Sequence, residues 1–195
     1  MSDLTITHGG INRTVHRTEL KGAQGPHGVD KGAVISVKPT LYIAGETASD
    51  KVMFVSTEVP NAVLRKGGAS KLIGITMVDY ENQKLNWDLW FHRVDSDFGT
   101  LGTGDPTITD ANIKLAKLLG AFDIDWSKGV VSLGTTIATK QVNYIQSSAS
   151  QKPTMPIMLQ AASDSTSVYV QGICRAAITW AAVDSLELII YVEYL

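Results

Sequence analysis

Stretches of strand length with alternating apolar residues recur along this 195-residue chain, and the last ten residues are the clearest of them. In residues 186–195 every even position is apolar or aromatic, whereas Glu187 and Glu193 occupy odd positions. Successive side chains of a β-strand point to opposite faces of a sheet, so this period of two predicts a half-buried strand. We expect this end of the sequence to be held within a sheet rather than frayed.

Nine further stretches between residues 34 and 182 have the composition of β-strands. They are rich in β-branched and aromatic residues and are separated by residues that favour turns. The predicted strands span residues 34–42, 51–57, 61–65, 71–79, 84–93, 130–139, 155–161, 167–175 and 176–182. Because no helices alternate with these strands, the pattern favours two antiparallel layers over a parallel α/β sheet. We predict an all-β fold, a jelly-roll-like antiparallel β-sandwich, whose strand order does not follow from strand count.

Four short segments between the predicted strands have the composition of turns, with glycine, asparagine, serine or aspartate. They are residues 66–69, 81–83, 127–129 and 163–165. We expect tight connections between antiparallel strands at all four.

One segment, residues 109–120, carries the start and stop signals of a helix instead. Thr109 or Asp110 can accept hydrogen bonds from the unpaired N–H groups of a first turn, and Gly120 suits the position after a last turn. The predicted apolar side of this helix consists of Leu115, Leu118 and Leu119. The sequence therefore predicts one short helix on a β body.

Residues 1–33 differ from the rest because they mix glycine, histidine and both signs of charge, with too few apolar residues for a core. We interpret them as an extended N-terminal arm preceding a β-sandwich domain of residues 34–195. Such arms order against a neighbour, and plain disorder is the alternative interpretation. The arm residues predicted to contact a partner are Ile11, Arg13, Val15, Arg17 and Leu20.

The predicted strand at residues 84–93 raises a question about its second face. Leu85, Trp87, Leu89 and Phe91 alternate on a face that is expected to be core. Trp90 and His92 lie on the other face, so that either a loop of the same chain covers them or they contact a partner. We include both residues among the predicted interaction residues.

Charge and hydropathy exclude two classes of partner. Seventeen basic and nineteen acidic residues give a net charge of −2, which provides no positive field for a nucleic acid. No apolar run approaches the length that spans a bilayer, so no membrane partner is expected. The first residues lack the basic and apolar regions of a signal peptide, which predicts synthesis in the cytoplasm without export.

No catalytic residue, cofactor or metal site is predicted. Residues 95–106 contain three aspartates among glycines, but Thr100 and Pro106 stand where a calcium-binding EF-hand loop needs glycine and glutamate. A glycine-rich connection is the preferred interpretation of this loop, and cation binding is the alternative. The three histidines of the arm are too scattered for a zinc site. Cys174 is the only cysteine, and its apolar surroundings predict a buried, unreactive thiol.

Several segments together resemble the small β-sandwich virion proteins of tailed bacteriophages, of the capsid decoration, cement or minor structural type. The segments that carry the resemblance are residues 34–41 (VISVKPTL), 72–79 (LIGITMVD), 89–91 (LWF), 105–111 (DPTITDA), 156–162 (PIMLQAA) and 167–170 (SVYV). They cover most of the predicted sandwich and none of the arm.

This resemblance implies a non-enzymatic protein that binds and stabilises an assembled capsid, with the arm bridging neighbouring subunits. The implied partners are the major capsid protein or other virion proteins, and the implied state is a homo-oligomer, dimer or trimer. The implied location is the virion, after synthesis in the host cytoplasm.

A carbohydrate-binding or adhesion module is the alternative. Sandwiches serve both purposes, so fold alone does not choose between them. In that interpretation an exposed Trp90, Tyr42 or Tyr191 would stack against sugar rings.

Overall fold

The computed structural model describes residues 4–8, 11–15, 31–44, 51–102, 109–127, 130–143 and 157–195. The chain divides into two compact units, Met1–Lys31 and Gly32–Leu195. The first unit contains strands β1 (Leu4–His8) and β2 (Ile11–Val15). They pair antiparallel, with Leu4 opposite Val15 and His8 opposite Ile11. The segment predicted as an extended arm therefore contains a β-hairpin.

The second unit consists of two antiparallel sheets. Sheet I has the order β3-β12-β5-β9-β8, and the short β10 pairs with β5. Its strands are β3 (Gly32–Val37), β12 (Leu186–Tyr194), β5 (Ala69–Asp79), β9 (Ile137–Asn143), β8 (Val130–Leu133) and β10 (Met158–Gln160). Sheet II has the order β4-β11-β6-β7. Its strands are β4 (Lys51–Val59), β11 (Val168–Cys174), β6 (Trp87–His92) and β7 (Leu118–Ile124).

The strand order defines a jelly roll. From β3 to β6 the chain crosses between the sheets at every step, β7 then pairs with β6 in sheet II, and β11 and β12 return to lie between earlier strands of sheets II and I. The resulting sets β3-β12-β5-β9 and β4-β11-β6-β7 are the two four-stranded halves of this fold. The predicted all-β sandwich is confirmed, and the jelly-roll order that strand count left open is now assigned.

The core lies between the two sheets and is built from alternate residues of their strands. In β12, Leu186, Leu188 and Ile190 are fully buried, which confirms the strand predicted at the end of the sequence. In β6 the predicted core face is confirmed, and the Trp87 ring lies 5.9 Å from that of Phe54. Both rings belong to strands of sheet II, and both are part of the core between the sheets.

The four predicted turns connect strands of different sheets, so the expectation that they join paired antiparallel strands is wrong. They lie between β4 and β5, between β5 and β6, between β7 and β8, and between β10 and β11. A turn composition shows where the chain reverses, but it does not determine which sheet receives the next strand. The hairpin of the sandwich is β8–β9, where Gly134 has a φ of 82°.

Two predicted strands are loops. Residues 61–65 form turns, and residues 176–182 contain only an isolated bridge. Ala62, Val63 and Trp180 are nevertheless buried, so their apolar character reflects burial of a connection rather than strand pairing. The predicted strand at 130–139 is divided into β8 and β9 by the turn at Gly134.

The helix α1 (Asp110–Ala116) is shorter than predicted. Its start is confirmed, because the Thr109 Oγ1 accepts a hydrogen bond of 3.2 Å from the Asn112 N–H. It ends at Lys117, whose φ is 58°, and Leu118, Leu119 and Gly120 belong to β7. The predicted apolar side was wrong because pairing with β6 takes these residues into sheet II. The buried residue of the helix is Ala116, and Leu115 is exposed.

In the described part of the chain, we find no helix whose length and hydropathy would let it cross a bilayer.

Candidate interaction surfaces

Trp90 and His92, both predicted interaction residues, lie on the outer face of sheet II beneath a loop of the same chain. Phe98 from this loop is 1% exposed. Its ring centroid lies 5.3 Å from that of Trp90 and 4.8 Å from that of His92. His92 is fully buried and Trp90 is half-buried. The sequence left open whether a loop of the same chain covers Trp90 and His92 or whether they contact a partner, and the structure shows cover by the loop. The His92 side chain presents no surface to a partner.

Polar contacts fix this covering loop to sheet II. The Phe98 N–H donates a hydrogen bond of 2.8 Å to Gln171 Oε1. Ser56 of β4 donates through its backbone N–H to Asp97 Oδ1 at 2.8 Å and through its hydroxyl to Asp95 Oδ1 at 2.6 Å. Two of the three aspartates considered for a calcium site therefore accept hydrogen bonds from Ser56, and the third, Asp105, lies outside the described residues. Among the described residues, no group of three or more potential metal ligands was found.

His92 is neutral in this environment. Its Nδ1 lies 2.9 Å from the Val94 carbonyl oxygen, which assigns the proton to Nδ1. The ring stacks on Tyr169 with centroids 5.9 Å apart, and Nε2 is buried with no hydrogen-bond partner among the described residues. Burial lowers the pKa of His92, and the Val94 carbonyl and the nearby Asp95 and Asp97 oppose this effect. The charged form would leave a second N–H unpaired in an apolar site.

The outer face of sheet I is open by comparison, and it carries an apolar band. We define the apolar band as Val34, Ile73, Val78, Val131, Ile189 and Tyr191. Val34 is 67% exposed, Val131 57% and Ile73 42%, and the other members are half-buried. Ile73 reaches the surface because the pairing of β5 with β12 is irregular at this residue.

Polar groups border the apolar band at both ends. At one end, Glu187 accepts hydrogen bonds from Ser36 and from the Tyr80 hydroxyl, and these bonds lower the pKa of Glu187. At the other end, Lys71 Nζ lies 3.5 Å from Glu193 Oε2. Glu187 lies opposite Val78, and Ser36, Thr76 and Thr139 pair with members of the band. The face therefore mixes apolar and polar side chains, with charged groups toward both ends of β12.

The hairpin places three of the predicted contact residues together. Ile11, Arg13 and Val15 are alternate residues of β2, so they share one face of the ribbon. Their cross-strand partners are His8, Ile6 and Leu4. The opposite face carries only polar residues, Thr5, Thr7, Asn12 and Thr14. The hairpin is therefore amphipathic, while Arg17 and Leu20, also predicted to contact a partner, lie outside the described residues.

The three aromatic residues considered for sugar stacking do not form one platform. Trp90 packs under Phe98 on sheet II. The Tyr42 ring packs against the core, and its hydroxyl donates a hydrogen bond of 3.1 Å to the Ala44 carbonyl. Tyr191 lies on the outer face of sheet I, where its hydroxyl is 3.4 Å from Thr76 Oγ1. Cys174 is buried, as predicted.

Sequence reasoning missed the apolar band, although one signal for it exists. The odd positions of β12 read Glu187, Ile189, Tyr191 and Glu193. Two apolar residues thus stand in the middle of the non-core face, with an acidic residue at each end. Read together with the exposed Val34 of the neighbouring strand β3, this pattern indicates a bordered apolar surface rather than a solvated face.

No family model and no curated protein matches this chain. A solved structure described as "Israeli acute paralysis virus heated to 63 degree - full particle" is similar over 99% of this chain and 79% of that chain. The sequence identity is 10% and the TM-score is 0.27, so we base no argument on this likeness. The assignment of the fold rests on the strand order alone.

Proposed function

We propose that this chain is a non-enzymatic structural protein of a virion that binds and stabilises an assembled phage capsid in a decoration, cement or minor structural role. Residues 1–33 bridge neighbouring subunits in this proposal. Its support is a jelly-roll body, an architecture used by viral capsid and lectin domains, together with the resemblance of the body segments to phage virion proteins. The proposed partners are the major capsid protein or other virion proteins, in a dimeric or trimeric state.

The amphipathic hairpin is the single observation that carries the bridging role. A two-stranded hairpin is at best marginally stable in water, because it has no second layer against which to bury its apolar face. The face with Ile11 and Val15 therefore needs a surface from elsewhere to be stable. A segment that orders only against another molecule is suited to linking subunits.

The proposal that the chain is not an enzyme is supported by the hydrogen bonds of Asp95 and Asp97 and by the burial of His92. Asp95 and Asp97 accept hydrogen bonds from Ser56, which holds them to sheet II. His92 is buried against Phe98 and Tyr169, where it is out of reach of a substrate.

The test is removal of residues 1–31, which leaves β3 intact because it begins at Gly32. When the truncated form replaces the full-length protein during assembly of the virus particles, the purified particles should contain little or none of it. The truncated protein should remain folded by circular dichroism. Normal occupancy in particles after the truncation would contradict the proposal.

A matched pair of variants in the intact chain isolates the apolar face of the hairpin. Replacing both Ile6 and Ile11 by threonine removes apolar area while keeping β-branched residues, and it should reduce occupancy. Replacing Thr7 and Thr14 by serine changes the opposite face and should have little effect. If a glycan panel instead finds a specific sugar that quenches tryptophan fluorescence, the carbohydrate-binding module becomes the better interpretation.

A further inference from the structure

A fully buried histidine lies between sheet II and the covering loop, which consists of residues 94–102. The ring centroid of His92 lies 4.8 Å from that of Phe98 in this loop and 5.9 Å from that of Tyr169 in β11, and the His92 side chain has no exposed surface. An imidazolium loses its hydration in such a site, so burial favours the neutral ring. Closure of the covering loop is therefore coupled to the protonation state of this one side chain.

The hydrogen bonds of His92 suit the neutral ring and not the charged one. Its Nδ1 lies 2.9 Å from the carbonyl oxygen of Val94, the first residue of the covering loop. A second proton would have to bind at Nε2, which is buried and has no hydrogen-bond partner in the described ranges. The charged ring would thus carry an unpaired N–H group inside the closed structure, which is costly.

A nearby acceptor on the same face of sheet II is already used to hold the covering loop. Gln171 pairs with Trp90 of β6. His92 stands two residues further along β6, which makes it a diagonal neighbour within reach of a long side chain. Gln171 is 1% exposed, and its Oε1 accepts the hydrogen bond of 2.8 Å from the Phe98 N–H. This oxygen becomes available to another donor when Phe98 is released, that is, when the loop opens.

Two carboxylates of the covering loop, those of Asp95 and Asp97, oppose the effect of burial. Their negative charges favour the imidazolium, as does the Val94 carbonyl, but burial is the largest influence and lowers the pKa of His92. Both carboxylates accept hydrogen bonds from Ser56, which hold the loop on β4. The balance of these influences favours the neutral ring while the loop is closed.

The strands around His92 supply no acceptor for Nε2 among the residues that the structure describes. On one side Tyr169 stacks on the ring, and Glu58 of β4 lies beyond it, opposite Tyr169. On the other side His92 lies opposite the apolar Leu118 of β7. Arg93, the next residue of the chain, donates through its Nε to a backbone carbonyl of the connection between β10 and β11 at 3.0 Å. The charged ring gains its hydrogen bonds from water, after the loop has opened.

We propose that the covering loop is an acid-sensitive switch, in which protonation of His92 opens the loop and exposes the outer face of sheet II. Opening uncovers Phe98, which is 1% exposed in the closed loop, together with Trp90 and Gln171. An apolar surface that is covered at neutral pH thereby becomes available for contact in acid. This switch goes beyond the proposed function and does not depend on it.

The first experiment measures hydrogen exchange of the full-length protein by NMR at pH 7.5 and 5.5, corrected for the pH dependence of exchange in an unfolded chain. The N–H groups of Phe98 and Gly102 report on the loop, since they donate to Gln171 and to the Val52 carbonyl. Their opening equilibrium constant should rise at pH 5.5 by up to about tenfold, the limit for a closed form that binds no proton and an open form with the ordinary histidine pKa. A rise below about twofold would overturn the proposal.

The same data distinguish opening of the loop from unfolding of the whole sandwich. Amides of β12, which lies in the middle of sheet I, report on global unfolding. At pH 5.5 the loop amides should have opening constants at least about tenfold larger than those of the most protected β12 amides. Equal constants would mean that His92 becomes accessible only when the protein unfolds, and a separate switch would then not exist.

A matched pair of histidine variants assigns the effect to one residue. His92→Gln has no titratable group at this position, so its loop amides should change by less than about twofold between the two pH values. His27→Gln makes the same substitution in the first unit of the chain, and it should respond to pH like wild type. If His92→Gln responds as strongly as wild type, other groups open the loop and the proposal is wrong.

A measurement on the wild-type protein does not depend on how well a variant folds. The ¹⁵N chemical shifts of the His92 ring report its tautomer and charge. At pH 7.5 we expect a neutral ring with its proton on Nδ1, and on acidification the charged ring should appear together with the loss of protection at the Phe98 N–H. A charged His92 beneath a loop that stays as protected as at pH 7.5 would contradict the proposed switch.

Discussion

The outer faces of both sheets carry apolar and aromatic residues, but a loop of the same chain covers only the face of sheet II. Sheet II has Trp90 and His92 facing outward, and the chain covers them with Phe98, which is 1% exposed. Sheet I has Val34, Ile189 and Tyr191 facing outward, and Val34 is 67% exposed. The covering loop belongs to the connection between β6 and β7, which is long enough to fold back over its own sheet. On sheet II, the outward Trp90 is therefore part of a second small apolar cluster. On sheet I, the outward Tyr191 stays partly accessible.

An apolar side chain that faces outward from a sheet is accommodated in two ways in this molecule. On sheet II the cover comes from within the chain and is held by hydrogen bonds from Ser56 and Phe98. On sheet I the half-buried band needs no cover for the body to fold, because the core between the sheets is complete without it. Substitutions should therefore reduce stability more on sheet II than on sheet I.

The largest expected effect is that of Phe98→Ala. Removing this buried ring should lower the free energy of unfolding by about 3 kcal/mol, since it leaves a cavity above Trp90 and His92. The melting temperature should fall by about 10 °C. Thermal and urea unfolding measure both quantities. A loss below about 1 kcal/mol would mean that the loop is not an integral part of the fold.

A smaller, pH-dependent effect is expected at His92. Burial lowers the pKa of His92 in the folded protein, so the unfolded chain binds more protons below the unfolded pKa of about 6.5. The stability that His92 contributes is therefore complete above about pH 6.5 and decreases as the pH falls below it. Urea unfolding at pH 7.5 and 5.5 should show a loss of about 1 kcal/mol in wild type. His92→Gln should lose less, and an equal loss would assign the effect to other groups.

A comparably small effect on stability is expected for one of two serines, Ser56 and Ser36, each of which donates a hydrogen bond to a carboxylate. Ser56→Ala removes the hydroxyl that donates to Asp95 and should cost about 1 kcal/mol. It should also increase hydrogen exchange at the Phe98 N–H, because the covering loop opens more often. Ser36→Ala removes a hydroxyl that donates to Glu187 on the exposed face of sheet I. This substitution should change the free energy of unfolding by no more than about 0.5 kcal/mol. Hydrogen exchange at the Phe98 N–H should stay as in wild type.

The smallest effect on stability is expected for Val34→Ala. Because this side chain is mostly exposed, its truncation should change the free energy of unfolding by no more than about 0.5 kcal/mol. Unfolding of the full-length protein at low concentration measures this term without association. A cost near that of Phe98→Ala would remove the distinction between the two faces.

Much of the fold follows from local patterns in the sequence. The period of two in β12 and β6 correctly predicted both strands and their core faces, because alternation is imposed by the geometry of a single strand. The cap at Thr109 was also local and correct. The end of the helix was not, since Leu118 pairs in β7 with His92 of β6, and this contact between distant residues is absent from any local window.

The candidate surfaces were predictable to a smaller extent. The sequence indicated Ile11, Arg13 and Val15 as contact residues, and the register places these alternate residues on one face of a hairpin. Their contact with a partner remains a prediction. The cover of Trp90 by Phe98 and the exposure of Val34 depend on which connection folds over which sheet, and residue composition does not contain that information.

By itself, the sequence determined the β character of the body, the core face of its clearest strands, the start of its helix and the near-neutral charge. These properties depend on residues close together in the chain. Only the tertiary structure decided the jelly-roll order, the sheet reached after each turn, and the contrast between a covered and an open outer face. These depend on contacts between distant segments, whose free energy is gained only when the whole sandwich forms.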